Sequence, residues 1–269
     1  MNSEKTNLLR RKSYNIKKRF LEMYKMANAG HVGCSLSVVE ILTFVKFGWM
    51  NSQDEIILSK GHAAACLYAL LAEDGTLTPS DINTFYKNGT YLAAHPPANK
   101  IRGIPFATGS LGHGLSLAAG LGLAQKLKKN KKQIFCITSD GELNAGATWE
   151  AALFIAQFDL KNVVWIIDRN QLQGYGRTED IMRLEPLGQK LESFGFNVVL
   201  SNGHDFSSLE TAKLKAENSV KPSAIICATT KGRHWNAYED KVDCHYLPMK
   251  DEHYDSILFE IEKDLLSQK

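Results

Sequence analysis

Apolar residues along this chain follow two spacings. Leu9, Ile16, Phe20, Met23 and Ala27 recur at helical intervals and stop near Gly30, predicting an N-terminal helix. A second helix is predicted over residues 37–47. Short unbroken apolar runs, rich in β-branched and aromatic residues, fall at 54–58, 133–138, 163–167, 196–200 and 224–228. They read as strands buried on both faces. Helical stretches lie between them at 61–72, at 112–124, where small residues dominate, and at 206–217. Pro79 follows a chain break at 75–80 and suits the first turn of a helix. Ile257, Leu258, Ile261 and Leu265 mark a closing helix. Residues 90–109 are irregular and contain proline; loops of that length in compact domains are usually functional. With no repeat or linker, this alternation predicts one α/β domain over 1–269, a doubly wound and mainly parallel sheet flanked by helices.

Two strands end in acidic turns, Ser139-Asp140-Gly141 and Asp168-Arg169-Asn170. A right-handed crossover between these strands would set their carboxyl ends side by side, where open α/β sheets bind ligands. The Asp140 carboxylate and the Asn170 amide oxygen are hard ligands, suited to Mg²⁺ or Ca²⁺ holding a diphosphate. Each has a plainer reading alone, Asp140 as a helix N-cap and Asn170 as a turn residue; their pairing gives the metal reading. His31, His62, His95, His113 and His245 sit beside Gly or Pro or near a helix boundary. A neutral imidazole there can donate to phosphate or move protons.

The net charge of +3 implies neither nucleic acid nor an anionic membrane as a bulk partner. The basic clusters at 10–12, 17–19 and 126–132 read as solvated helix faces. Five cysteines form no C-x-x-C pair, and the spacings give no H-E-x-x-H and no Cys/His cluster. A zinc or disulfide framework is therefore not expected, and a reducing cytoplasm is the default location. The N-terminus is polar rather than signal-like, and no apolar run is read as long enough to span a bilayer.

The segment Asp140-Gly141-Glu142-Leu143-Asn144-Ala145-Gly146-Ala147-Thr148-Trp149-Glu150, followed by Asp168-Arg169-Asn170-Gln171-Leu172-Gln173, resembles the thiamine-diphosphate motif of transketolases. Gly30-His31-Val32-Gly33, Leu58-Ser59-Lys60-Gly61-His62-Ala63, His95-Pro96, Thr108-Gly109-Ser110-Leu111-Gly112-His113-Gly114 and Thr230-Lys231-Gly232 match other family segments, in the family's order. The resemblance covers the amino-terminal half of that family. It implies a thiamine-diphosphate-binding fold and the N-terminal subunit of a split transketolase. The pyrimidine-binding and C-terminal domains would lie on a partner chain, in an α2β2 heterotetramer.

The resemblance also implies roles. Asp140, Asn170 and the Leu172 carbonyl would hold Mg²⁺ (or Ca²⁺ or Mn²⁺). Gly141 would admit the diphosphate, and Gly109, Ser110 and Leu111 would line the cofactor. His62 and His245 would lie near the diphosphate and the thiazolium ring, and His31 and His95 would face the donor sugar, with His31, His95 and His245 as the catalytic set. Glu150 matches a carboxylate of the family's cofactor-linked interface network. The implied activity moves a two-carbon ketol unit from a ketose, a sugar or sugar phosphate, to an aldose. It needs the partner, which carries the glutamate that activates the cofactor. A decarboxylating or 1-deoxyxylulose-phosphate synthase-like thiamine enzyme, or a non-catalytic assembly subunit, are the alternatives. The family pattern is broken at Ser139, Ala145, Val32, His113 and Arg169 and over residues 231–235, which points to an unusual donor or acceptor rather than to lost cofactor binding.

Overall fold

The computed structural model describes residues 1–98 and 101–267; residues 99–100, within the irregular 90–109 stretch, lie outside the described residues. Five strands form the sheet: β1 (Glu55–Leu58), β2 (Ile134–Ser139), β3 (Val163–Arg169), β6 (Asn197–Asn202) and β7 (Ser223–Ala228). Their order is β1-β2-β3-β7-β6, and every pairing is parallel. A two-residue antiparallel ribbon, β4 (Leu172–Gln173) with β5 (Gly176–Arg177), stands apart from it.

Successive residues of each strand point to opposite faces, and both faces are buried. Phe135 and Ile137 join a core with α1 (Ser3–Ala27), α2 (Val32–Phe44), α3 (Ala64–Glu73), α9 (Phe206–Glu217) and α11 (Asp251–Ser267). Ile134 and Cys136 join the other, with α5 (Gly114–Leu127), α6 (Gly146–Gln157) and α8 (Leu187–Ser193). Each fully buried Leu, Ile or Phe contributes about 1.5–3 kcal/mol, so the doubly covered sheet is a rigid platform. The short helices are α4 (Pro79–Ile82), α7 (Thr178–Ile181) and α10 (Asp243–Tyr246). Pro79 does open α4, under a Thr78–Asp81 capping box.

The second helix starts at Val32, not Ser37, and ends in a π-helical turn over Val45–Trp49. All thirteen of its residues are buried, so no polar face marks its start in the sequence. This run of 18 residues, Val32–Trp49, is long and apolar enough to cross a membrane, correcting the expectation that none is. Most of it is buried against the sheet, which accounts for its apolarity. The basic clusters are not uniformly solvated either: Lys17 is buried, with its ammonium 2.5 Å from Glu40 Oε1. The small residues of α5 permit close packing on the sheet. A Cβ on Gly122 would stand 2.3 Å from Val163, and one on Gly114 would stand 2.2 Å from Ser59 Oγ.

Candidate functional site

The carboxyl ends of β1, β2, β3 and β7 converge with the start of α2. Ser139 and Asp168 are register partners, and the Asp140 amide donates to the Asp168 carbonyl at 3.2 Å. The two acidic turns are therefore adjacent, as the crossover argument requires. Asp140 is buried. Its Oδ1 accepts from Gly141 N at 2.8 Å, and its Oδ2 accepts from Gln171 N at 2.6 Å and Arg169 Nη1 at 3.0 Å. The carboxylate thus reaches the chain between Asn170 and Leu172. Asn170 Oδ1 accepts from Leu172 N at 3.1 Å, closing the second turn. The Leu172 carbonyl accepts from Lys231 Nζ at 2.7 Å. Burial raises the Asp140 pKa and Asp168 adds to the rise, while the Arg169 guanidinium opposes it.

Four of the five singled-out histidines meet beside these oxygens. The His31 ring centroid is 5.1 Å from that of His245, 5.7 Å from His62 and 6.3 Å from His95. His62 and His245 are 5.6 Å apart. Burial lowers the His62 pKa to about 4, so this imidazole is neutral at pH 7. The His95 pKa is also lowered, first by partial desolvation and then by His31. His113, the N-cap residue of α5, lies outside the cluster and is exposed.

The 108–111 loop closes one side. A Cβ on Gly109 would lie 2.7 Å from His95 Cδ2, and one on Gly61 would lie 2.7 Å from Gly109 N. Ser110 and Leu111 are exposed at the loop's outer edge. Gly141 packs on Gln173, whose Cγ would lie 3.0 Å from an added Cβ. Glu150 is exposed on α6 and makes no contact with these groups, so the chain alone does not bring it into the site.

Several members of the site carried no assigned role in the sequence. Glu142 is buried; it accepts from Ser59 Oγ, from Gly112 N at 3.0 Å and from Ser139 N at 3.1 Å, fastening three loops together. Lys60 and Asp168 form a fully buried ion pair, and Ser37 and Thr229 also donate to Asp168. Lys231 is buried and touches His245 Nδ1 at 2.8 Å. Cys34 is buried with its Sγ 3.7 Å from the same nitrogen. Burial alone would raise its pKa, but Lys231, His62 and the adjoining imidazoles outweigh it and hold the thiol well below its ordinary value. The spacing argument against a Cys/His cluster is thereby corrected, since the fold assembles Cys34, His31 and His245 from segments more than two hundred residues apart. Only the Ser-Lys-Gly-His and Thr-Lys-Gly segments signalled Lys60 and Lys231 beforehand.

Residues 12–260 match the family described as transketolase, thiamine diphosphate binding domain. One of the paired chains of the apulose-4-phosphate transketolase of Actinobacillus succinogenes is 37% identical over 244 residues, covering 87% of this chain and 88% of the relative. A chain of the 6-deoxy-6-sulfo-D-fructose transketolase of a Clostridium species, likewise named as a subunit, is 35% identical over 260 residues, covering 93% and 94%. The crystal structure of Campylobacter jejuni transketolase superposes with a TM-score of 0.88 at 26% identity. That match covers 97% of this chain but 43% of the Campylobacter chain, so this chain spans less than half the length of that enzyme.

Proposed function

The chain belongs to the transketolase family as its thiamine-diphosphate-binding domain, and from that premise we propose that it is the diphosphate-gripping subunit of a split transketolase. The reaction moves a two-carbon ketol unit from a ketose to an aldose. One observation carries the reading: Asp140, Asn170 and the Leu172 carbonyl lie at adjoining strand ends, with the Arg169 and Lys231 cations standing on two of them, beside four converging histidines.

The donor set fits the cofactor. Three oxygens, one of them a carboxylate, suit Mg²⁺ rather than a softer ion. Cations resting on Asp140 and Leu172 mark where positive charge is stable. Asp140, Asn170 and Leu172 would hold the metal, and Lys231 would neutralise diphosphate oxygens. Thiamine diphosphate, when bound, supplies the nucleophilic carbon and the electron sink for C–C cleavage. His62, kept neutral, would donate a hydrogen bond without adding charge. His31 and His95 would bind the donor's hydroxyls and move a proton there, and His245 would orient the cofactor end of the site.

A partner would supply the rest. Leu153, Phe154 and Phe158 on and just after α6 are exposed beside Glu150, an apolar face that an isolated chain would not favour. The two bacterial relatives described above have nearly this chain's length and are named as subunits, which supports a separate pyrimidine-binding chain. Two copies of each in a cytoplasmic α2β2 assembly would satisfy twofold symmetry. Both relatives are named for sugars with an anionic group, which supports an anionic ketose here. The test is ketol transfer with Mg²⁺ and thiamine diphosphate, assayed with and without the pyrimidine-binding chain. Transfer only in the mixture is expected; turnover by this chain alone, or CO₂ release from pyruvate, would overturn the proposal.

A further inference from the structure

Beside the oxygen donors lies a second set of ligand-type side chains. Cys34, in the first turn of α2, is fully buried and presents its sulfur to His245 Nδ1 at 3.7 Å. The sulfur and one ring nitrogen each of His31 and His245 lie within 4.8 Å of one another. His31 Nδ1 is itself buried without a hydrogen-bond partner.

The three residues are held by the main chain, not by chance rotamers. The His31 amide donates to the His245 carbonyl at 2.9 Å. A Cβ on Gly33 would stand 2.4 Å from Cys244 Sγ, so the start of α2 is pressed onto α10 and cannot slide past it. Bonds of about 2.3 Å to sulfur and about 2.0 Å to nitrogen around a tetrahedral ion place sulfur and nitrogen about 3.5 Å apart. The observed gap needs only a few tenths of an ångström of closure.

We infer that Cys34 Sγ, His31 and His245 form a second metal site, for a thiophilic divalent cation of the zinc class. Binding replaces the S–H bond by a sulfur–metal bond and releases the proton to solvent. Three protein ligands leave a fourth position for water. The surrounding cations already favour the thiolate. Lys231 is the opposing charge, but it has a second acceptor in the Leu172 carbonyl and can keep that contact while the ion takes His245. Ligand softness separates the two sites: Mg²⁺ prefers the oxygens of Asp140 and Asn170, and zinc prefers sulfur and imidazole. On the functional reading above, His31 and His245 also serve substrate and cofactor, so a bound soft ion and a loaded cofactor exclude one another.

The experiment titrates the purified full chain with Co²⁺ alone, then repeats the titration after saturation with thiamine diphosphate and Mg²⁺. A thiolate-to-cobalt charge-transfer band that saturates at one ion per chain is expected. Cys34→Ser should abolish the band and weaken Co²⁺ binding more than about tenfold. Cofactor saturation should suppress the band in the parent chain. Absence of a sulfur band, or its persistence in Cys34→Ser, overturns the site. X-ray absorption of the zinc-loaded parent chain decides the matter independently of how the variant folds: a shell containing one sulfur supports the site, and an oxygen/nitrogen-only shell overturns it. Calorimetry of the cofactor on the same samples keeps the readings separate. Cofactor binding without a sulfur band defeats only the soft-metal site, whereas a sulfur band indifferent to bound cofactor defeats only the exclusion.

Discussion

Arg169 donates from Nη1 to Oδ2 of Asp140 across 3.0 Å, and both side chains are buried. The same guanidinium reaches Glu179 at 2.8 Å and Glu185 at 3.1 Å through Nη2. Arg169 therefore holds the Asp140 carboxylate ionised and in place when no divalent ion is bound. Arg169→Gln should destabilise the metal-free chain by about 2–4 kcal/mol, because it strands a buried carboxylate. Mg²⁺ with thiamine diphosphate should restore more stability to this variant than to the parent, since the ion supplies the missing charge. Thermal unfolding with and without the pair measures both; an equal gain in the two proteins would refute this role.

Lys231 makes the complementary prediction at the anionic end. Its ammonium is buried, 2.7 Å from the Leu172 carbonyl and 2.8 Å from His245 Nδ1. A charge-assisted hydrogen bond in such a place is worth about 1.5–3 kcal/mol. Lys231→Met should therefore weaken thiamine diphosphate roughly 10- to 100-fold in calorimetry with Mg²⁺ present. Thiamine lacking the phosphates should bind both proteins alike. If its affinity falls equally, Lys231 acts on the ring end and not on the diphosphate.

The sheet and the metal turns were legible because their signals are local. An apolar run ended by Ser139-Asp140-Gly141 announces a buried strand and a turn together, and β2 and β3 pair where the sequence placed them. The start of α2 was not legible. His31 begins it at φ 73 with no side-chain cap, and a helix buried on all sides shows no polar period. Cys34 was hidden for a different reason: its partner His245 arrives from α10 near the other end of the chain, and no spacing rule spans that distance. Glu142 sat inside the quoted motif, yet its grip on Ser59 and Gly112 exists only after α5 docks. Helix α8 and the β4–β5 ribbon are too short for periodicity to show.

Buried histidines set one pH response. His62 and His234 are each lowered to about 4, mainly by burial. The fold refuses protons that the unfolded chain accepts near pH 6.5. Their stabilising contribution is complete above pH 6.5 and is lost as pH falls toward 4, by up to about 1.4 kcal/mol per pH unit for each histidine. Asp140 and Glu142, raised by burial, act in the opposite sense. Urea midpoints between pH 7 and pH 5 should therefore fall in the parent chain and fall less in His62→Gln/His234→Gln. Parallel pH slopes in the two proteins would contradict the assignment.

Gly109 ties backbone conformation to His95. Its φ is +132, and a Cβ there would lie 2.7 Å from His95 Cδ2 and 3.0 Å from Cγ. Gly109→Ala therefore carries two costs, a backbone strain of about 1–3 kcal/mol and a displaced imidazole. Gly75, at φ +81 with nothing within 4 Å of an added Cβ, shares the first cost without the second. Both alanine variants should lower the melting temperature, but only Gly109→Ala should reduce kcat in the assembled enzyme, by roughly tenfold or more as expected for a displaced proton-transfer group. Thiamine diphosphate affinity should change little in either, because the metal oxygens and Lys231 lie on other loops. Equal kcat values for the two variants would remove His95 from the donor-sugar site and leave loop 108–111 a purely structural closure.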